Sequence, residues 1–187
     1  MRLAGDESDC EIALVAQATR LASLGVDFLQ LREKDMKAGE LAQLARQLLD
    51  ALHNKSDRDH HPATKLLINS RADVAVAVGA HGVHLTSTPG SLTPGQVREL
   101  YAAAGLAEPV ISISCHSIAE IADVVSLGLT AAPNLILFGP VFEKVALDNP
   151  DGRRTERLVS PGTGFELLRM ACEAAGPVPV LALGGVT

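Results

Sequence analysis

Short apolar segments alternate with longer amphipathic segments along the whole chain. The short segments predict six strands, at residues 26–31, 65–69, 82–85, 110–114, 134–138 and 178–183. The amphipathic segments predict helices, at residues 10–24, 38–53, 72–78, 93–104, 117–127 and 165–175. Residues 54–64 are predicted to be a polar connector and residues 144–161 a long polar loop. The alternation of strand and helix predicts an α/β fold with parallel strands and helical crossovers.

Two α/β architectures fit this alternation: a doubly wound open sheet and a closed (β/α)8 TIM barrel. A doubly wound nucleotide-binding sheet has a glycine-rich first turn, which this sequence lacks. Polar residues instead follow nearly every predicted strand, at the end where a barrel has its active site. We therefore predict a single TIM barrel domain over residues 1–187. The pattern supplies six of the eight strands, so we expect the first strand, and the last strand with its helix, to lie outside this chain.

Composition and charge narrow the choice of ligand. The chain has 187 residues, a net charge of −6 and 3% aromatic residues, whereas nucleic-acid binders usually have a basic face and stacking aromatics. No segment approaches the roughly 18 continuous apolar residues of a membrane span. Cys10, Cys115 and Cys172 match neither a zinc site nor a disulfide framework, and we expect them to be buried, inert thiols. These features predict a cytoplasmic protein that binds a small anion, without nucleic-acid or membrane partners, and they leave a homodimer open.

The first predicted strand and its extension carry three polar side chains on one face. Because successive strand residues point to opposite faces, Gln30, Arg32 and Lys34 alternate with Leu29 and Leu31. The leucines are expected to meet helices, which directs the three donors toward the barrel mouth. Donors in this arrangement suit an anion such as a diphosphate. The alternative is a solvated cluster of surface charge.

The same alternation on the fourth strand separates His116 from Cys115. Ser114 and His116 share the mouth face and Cys115 lies opposite, which argues against a Cys–His nucleophile pair. Histidine is the side chain best suited to proton transfer near neutral pH, so His116 is the candidate catalytic residue. The alternative is a structural histidine held by hydrogen bonds.

Two further strand ends carry candidate binding groups. Asn69 ends the second strand, and its amide could orient a ring or a phosphate; the alternative is a strand-end cap. Gly184 and Gly185 follow the last strand, where glycines allow backbone N–H groups to approach a phosphate. The alternative for this pair is a plain tight turn.

Five motifs, taken in order, resemble the thiamine phosphate synthase/TenI superfamily: QLREKD (30–35), LINSRADVAVAVGAHGVHL (67–85), ISISCHS (111–117), FGPVFEK (138–144) and PVPVLALGG (177–185). The resemblance implies a TIM barrel that acts in thiamine biosynthesis. Synthases of the family join a pyrimidine diphosphate to a thiazole phosphate and release diphosphate, whereas TenI proteins are thiazole tautomerases. By this resemblance, the residues that line the pyrimidine-diphosphate side are Gln30, Arg32, Lys34, Asn69 and Ser114. Lys144 and Gly184 would lie near the thiazole phosphate.

Departures from the synthase pattern favour the tautomerase branch. The aspartates that hold Mg²⁺ in synthases correspond to Ser70 and Pro89 here, which are poor ligands for a hard cation. The phosphate-binding run after Phe142 is also degraded, and a long insertion follows Lys144. We therefore expect a tautomerase that needs no metal, with His116 moving the proton. The alternatives are a synthase that recruits Mg²⁺ through other groups and a non-catalytic binder of thiamine intermediates.

Overall fold

Fourteen elements make up the described part of the chain. The computed structural model describes residues 7–59, 63–126, 128, 131–148, 156–160 and 162–184. Its helices are α1 (Glu7–Ser23), α2 (Ala38–Asp59), α3 (Ala72–Val78), α4 (Pro94–Ala103), α5 (Ile118–Ser126) and α6 (Gly164–Ala175). Its strands are β1 (Phe28–Leu31), β2 (Lys65–Asn69), β3 (Gly82–Thr86), β4 (Val110–Cys115), β5 (Leu135–Phe138), β6 (Lys144–Asp148), β7 (Glu156–Ser160) and β8 (Val180–Ala182).

The chain divides into two compact units. The first unit comprises Ala4–His84 and Gln96–Ile111, and the second comprises Met1–Leu3, Leu85–Gly95 and Ser112–Thr187. The assignment of all 187 residues to a single domain stays a prediction.

In the first unit, β1, β2 and β3 are parallel neighbours in chain order. Gln30 is opposite Leu67, and Asn69 is opposite His84. The start of β4 lies beside β3, where Val110 donates its N–H to the carbonyl of His81 at 2.9 Å. Parallel neighbours end on the same edge of a sheet, so the residues at the ends of β1, β2 and β3 come together.

Gly82 allows β3 to approach the start of β4. A Cβ atom at Gly82 would lie 1.8 Å from the carbonyl oxygen of Val110, so any side chain there would collide with backbone. The apolar core of this unit lies between the strands and helices α2, α3 and α4. Its fully buried side chains include Leu41, Leu44, Leu66, Ile68, Val83, Val97 and Tyr101. Tyr101 donates its hydroxyl to the carbonyl of Ala80 at 3.0 Å, which satisfies this buried polar group.

In the second unit, β4, β5 and β8 are also parallel neighbours. Ser114 is opposite Leu137, and Phe138 is opposite both Cys115 and Ala182. Helix α6 packs on β5 and β8, and α5 packs on α6. The buried core includes Ile113, Ile121, Ile136, Phe138, Val141 and Ala171. The α/β class predicted from the sequence is therefore confirmed, with strands that run parallel and are linked through helices.

Two segments predicted to be polar connections contain regular secondary structure: one is a β-hairpin and the other continues a helix. The polar loop predicted over residues 144–161 is wrong, because β6 and β7 form an antiparallel hairpin in which Lys144 is opposite Ser160. Helix α2 runs to Asp59, so most of the predicted connector at residues 54–64 continues the helix.

Candidate active site

The side chains of Gln30 and Asn69 meet at the ends of β1 and β2. Gln30 donates from Nε2 to Oδ1 of Asn69 at 2.9 Å, across 39 residues of sequence. Asn69 in turn donates from Nδ2 to Oγ of Ser70 at 3.3 Å. The structure therefore joins two of the predicted binding residues, and their amides leave further donor and acceptor positions for a ligand.

A buried histidine lies beside this amide pair. His84 is opposite Asn69 in the register of β2 and β3, and 5% of its surface is exposed. Burial lowers the pKa of His84, and the positive charge of Arg32 lowers it further, to about 4. His84 is therefore neutral at pH 7. His84 was not among the residues predicted from the sequence, although its position between Val83 and Leu85, inside an apolar strand segment, was a usable signal.

Arg32 and Lys34 follow the end of β1 and are exposed. Arg32 is close enough to act electrostatically on His84, which places its charge near the strand ends. Lys34 lies two residues further along, outside the strand. These two residues give the predicted anion-binding face its positive charge.

In the second unit, His116 follows β4 directly. Its ring Nδ1 lies 2.6 Å from the carbonyl oxygen of Gly139. A carbonyl oxygen can only accept a hydrogen bond, so Nδ1 carries the proton in the neutral ring. Nε2 then holds the lone pair and is the nitrogen that can accept a proton from a ligand.

Glu120 organises the segment around His116. Its Oε2 accepts a hydrogen bond from the backbone N–H of His116 at 2.9 Å and another from the hydroxyl of Ser87. The N–H of Glu120 donates to Oγ of Ser117 at 3.2 Å, so Ser117 caps the start of α5. The sequence analysis missed Glu120 too, although the Ser-x-x-Glu spacing of a capping box was visible.

The pKa of Glu120 reflects these contacts. Partial burial by itself would raise the pKa, but the hydrogen bonds from Ser87, from the His116 backbone and from Ser117, together with the charge of the His116 ring, bring it below its usual value. Glu120 is therefore a charged carboxylate throughout the neutral range.

Of the remaining candidate residues in the second unit, the structure describes Ser114 and Gly184 but neither the side chain of Lys144 nor Gly185. Ser114 is half-buried on β4, and its carbonyl accepts the N–H of Ser87 at 3.3 Å. Gly184 has a φ of 90°, which favours glycine, and its carbonyl accepts the N–H of Phe142. The side chain of Lys144 and all of Gly185 lie outside the described residues.

The cysteines are not uniformly buried, as the sequence analysis expected. Cys115 is fully buried, and burial, assisted by the charge of Glu120, raises the pKa of its thiol to about 12. Cys10 and Cys172 are exposed, so the prediction is wrong for both of them. Cys10 lies on α1 and Cys172 lies on α6. A helix that packs on the core with one face leaves its other positions exposed to solvent.

The two positions that correspond to the Mg²⁺ ligands of synthases carry residues that do not suit that ion. Ser70 adopts a φ of 57° and its hydroxyl already accepts from Asn69, while Pro89 has no ligand atom in its side chain. Across the described ranges, no three or more His, Cys, Asp or Glu side chains form a group that could hold a metal. Mg²⁺ prefers charged oxygen ligands, and these two positions do not provide them.

Among the helices of the described residues, none is long and apolar enough to cross a membrane. The predicted cytoplasmic location and the absence of a nucleic-acid partner stay predictions.

Known proteins resemble this chain over most of its length. The family model described as thiamine monophosphate synthase (TMP-TENI) matches residues 3–187. A thiamine-phosphate synthase of Koribacter versatilis is 31% identical over 170 residues, which cover 91% of this chain and 67% of that protein. A thiamine-phosphate synthase of Mycobacterium leprae is 31% identical over 166 residues, which cover 87% of this chain and 63% of that protein. The matched part of the chain thus corresponds to about two thirds of the length of the first relatives, from 63% to 67%.

A solved structure resembles the fold. The thiamine phosphate pyrophosphorylase from Pyrococcus furiosus superposes with a TM-score of 0.64 at 23% identity, over 91% of this chain and 68% of that chain. At this identity the match concerns the fold alone, and it agrees with the predicted α/β barrel class.

Proposed function

Because the chain belongs to the thiamine monophosphate synthase family, we propose that it joins a pyrimidine diphosphate to a thiazole phosphate to make thiamine phosphate. From the sequence alone, the residues at positions 70 and 89 favour the tautomerase, and this reaction is the alternative. The observation that now favours it is that relatives about 30% identical are named thiamine-phosphate synthases.

The first unit offers the groups that this reaction needs on the diphosphate side. In the reaction, the carbon–oxygen bond between the pyrimidine methylene and the diphosphate breaks, and diphosphate leaves with the electron pair. The thiazole nitrogen supplies the pair for the new carbon–nitrogen bond. Arg32 and Lys34 offset the charge of the leaving diphosphate, and the amides of Gln30 and Asn69 orient the substrate.

No step of this proposal passes through Mg²⁺, because Ser70 and Pro89 are unsuited to hold it. If other groups of the protein bind Mg²⁺ instead, EDTA would abolish the coupling reaction. Coupling of the two substrates, assayed with and without EDTA, separates the two versions. Absence of coupling under both conditions would contradict the proposed function.

The binding part is tested by the variant Arg32→Met and titration calorimetry with inorganic diphosphate. Loss of a charged hydrogen-bond donor costs about ten-fold or more in affinity. The matched control is Arg46→Met, which removes an exposed arginine from α2 of the same unit. Equal affinity in the wild type, Arg32→Met and Arg46→Met would rule out this role for Arg32.

A second candidate function is thiazole tautomerisation, and the tautomer of His116 favours it. With Nδ1–H donated to Gly139, Nε2 can take a proton from a thiazole carbon and return it to a neighbouring position of the same molecule. This chemistry needs no metal. We expect His116→Ala to slow tautomerisation by about 100-fold or more. If wild type and His116→Ala convert the tautomer equally fast, His116 has no such role.

A third outcome is also informative. Binding of the phosphorylated intermediates by calorimetry without turnover in either assay would identify a non-catalytic binder.

A further inference from the structure

We propose that Glu120 is a positioning residue, which holds the His116 ring in the orientation that leaves Nε2 available to a ligand. The activity part of this inference rests on the second candidate function. The structural part depends only on the contacts among Ser87, His116, Glu120 and Gly139, all of which lie in the second unit.

His116 is held at two points. Its backbone N–H donates to the carboxylate of Glu120 at 2.9 Å, and its ring Nδ1 donates to the carbonyl of Gly139 at 2.6 Å. One contact fixes the main chain where the strand ends, and the other fixes the ring. A ring bound only at Nδ1 could swing with its backbone, so the second point of attachment is what defines the direction of Nε2.

Glu120 is itself fixed before it acts on His116. Its N–H is bound by Ser117 at the start of α5, and its carboxylate also accepts the hydroxyl of Ser87 from the segment after β3. The side chain thus links the loop after β3, the end of β4 and the start of α5. Such a link is stronger for a charged acceptor than for a neutral one.

The charge of Glu120 has a second consequence for the ring. The carboxylate and the His116 ring interact electrostatically. When Nε2 takes a proton from a ligand, the ring becomes an imidazolium, and the carboxylate of Glu120 is then its opposite charge. Glutamine at position 120 would keep one acceptor oxygen but lose the charge and present an amide N–H₂ to the surrounding donors.

The test compares Glu120→Gln with Glu166→Gln. Glu166 lies in the first turn of α6, as Glu120 lies in the first turn of α5, but its side chain is exposed and pairs only with Arg169 among the contacts described. Both proteins are labelled with ¹⁵N at histidine, and the ring nitrogens of His116 are observed by NMR. In the wild type and in Glu166→Gln we expect a protonated Nδ1 and an unprotonated Nε2. In Glu120→Gln we expect this signature to be lost or averaged.

The activity readout runs on the same three proteins. We expect Glu120→Gln to lower the kcat of tautomerisation about ten-fold with little change in KM, and Glu166→Gln to behave as wild type. If Glu120→Gln fails to fold, Ser87→Ala removes one of the hydrogen bonds to the carboxylate and leaves the cap of α5 intact. We expect it to weaken the same NMR signature.

The outcomes are distinct. An unchanged signature in Glu120→Gln, or in Ser87→Ala when the first variant does not fold, overturns the positioning role whatever the activities are. Absence of tautomerisation in the wild type counts against the second candidate function alone, because the NMR signature reports the tautomer of the His116 ring independently of activity.

Discussion

The two units place polar groups at the ends of parallel strands by different means. In the first, Gln30 and Asn69 meet through their side chains across two neighbouring strands, and His84 lies in register with Asn69. In the second, His116 is held by a backbone carbonyl and by a carboxylate only four residues further along. One cluster depends on strand register, and the other depends on how a helix starts.

Because of this difference, the two clusters should respond to different structural changes. A group held by register is displaced by anything that moves one strand relative to the next. A group held at a helix start is displaced by anything that alters the cap. The predictions that follow test this distinction, from the largest expected effect to the smallest.

The largest effect is expected from Gly82→Ala in the first unit. Because the new Cβ would lie 1.8 Å from the carbonyl oxygen of Val110, β3 must move away from β4. We expect the free energy of unfolding to fall by about 3 kcal/mol or more, measured by urea denaturation. The control is Gly39→Ala in α2, where a Cβ meets nothing within 4 Å and we expect a small stabilisation. Similar stability for both variants would show that this close approach does not set the register.

The next largest effect concerns the pH dependence of stability, to which His84 of the first unit and Glu120 of the second contribute in different pH ranges. The folded-state pKa of His84 is about 4, below its ordinary value of 6.5, so the unfolded chain binds more protons between these values. Stability from His84 is complete above pH 6.5 and is lost as the pH falls toward 4, by at most about 3 kcal/mol. We expect His84→Gln to reduce this slope in thermal denaturation curves, and His81, whose pKa burial also lowers, to supply the remainder. His53→Gln, at an exposed position, should keep the whole slope.

In the same measurement, Glu120 should affect stability at lower pH than His84 does. Its folded-state pKa is lowered, so its contribution is present above pH 4.5 and is lost as the pH falls below that value. Glu120→Gln should therefore reduce the slope of the curve below pH 4.5 and leave the slope between pH 4.5 and 6.5 unchanged. A loss of both slopes in either variant would mean that the two clusters do not titrate independently.

The smallest effect is the coupling between Gln30 and Asn69. Their hydrogen bond is exposed, so we expect a double-mutant cycle with alanine to give a coupling energy of about 0.5 kcal/mol. The pair Gln43→Ala and Asn69→Ala serves as the control, since Gln43 is exposed on α2, and its effects should add. A cycle that shows no coupling would indicate that register alone, without the side-chain bond, holds these residues.

The sequence was informative wherever a period of two or of about 3.6 residues governs burial. Side-chain alternation separated half-buried Ser114 from buried Cys115, and the apolar segments put Gln30 and Asn69 on successive strands, which pair in the structure. The hairpin of β6 and β7 was not predicted because charged residues surround the few apolar residues of its strands, KVALD and ERLVS. These strands also pair with each other rather than with the main strands. An Asp-Gly pair at positions 151 and 152, between two segments with β-branched residues, was the available signal.

The candidate site was harder to predict than the fold. Whether Glu120 reaches the His116 backbone depends on the rotamer at a helix start, which periodicity does not encode. The neutral state of His84 depends on burial together with the charge of Arg32, whose position follows from packing of segments far apart in sequence.

The exposure of Cys10 and Cys172, with Cys115 buried, has a practical consequence. A thiolate is the form that reacts with maleimides, and the pKa of about 12 at Cys115 keeps that thiol unreactive. One accessible thiol then remains on each compact unit, since Cys10 belongs to the first and Cys172 to the second. A donor and an acceptor fluorophore could be attached without introducing any new cysteine, and energy transfer between them would report whether substrate changes the separation of the two units.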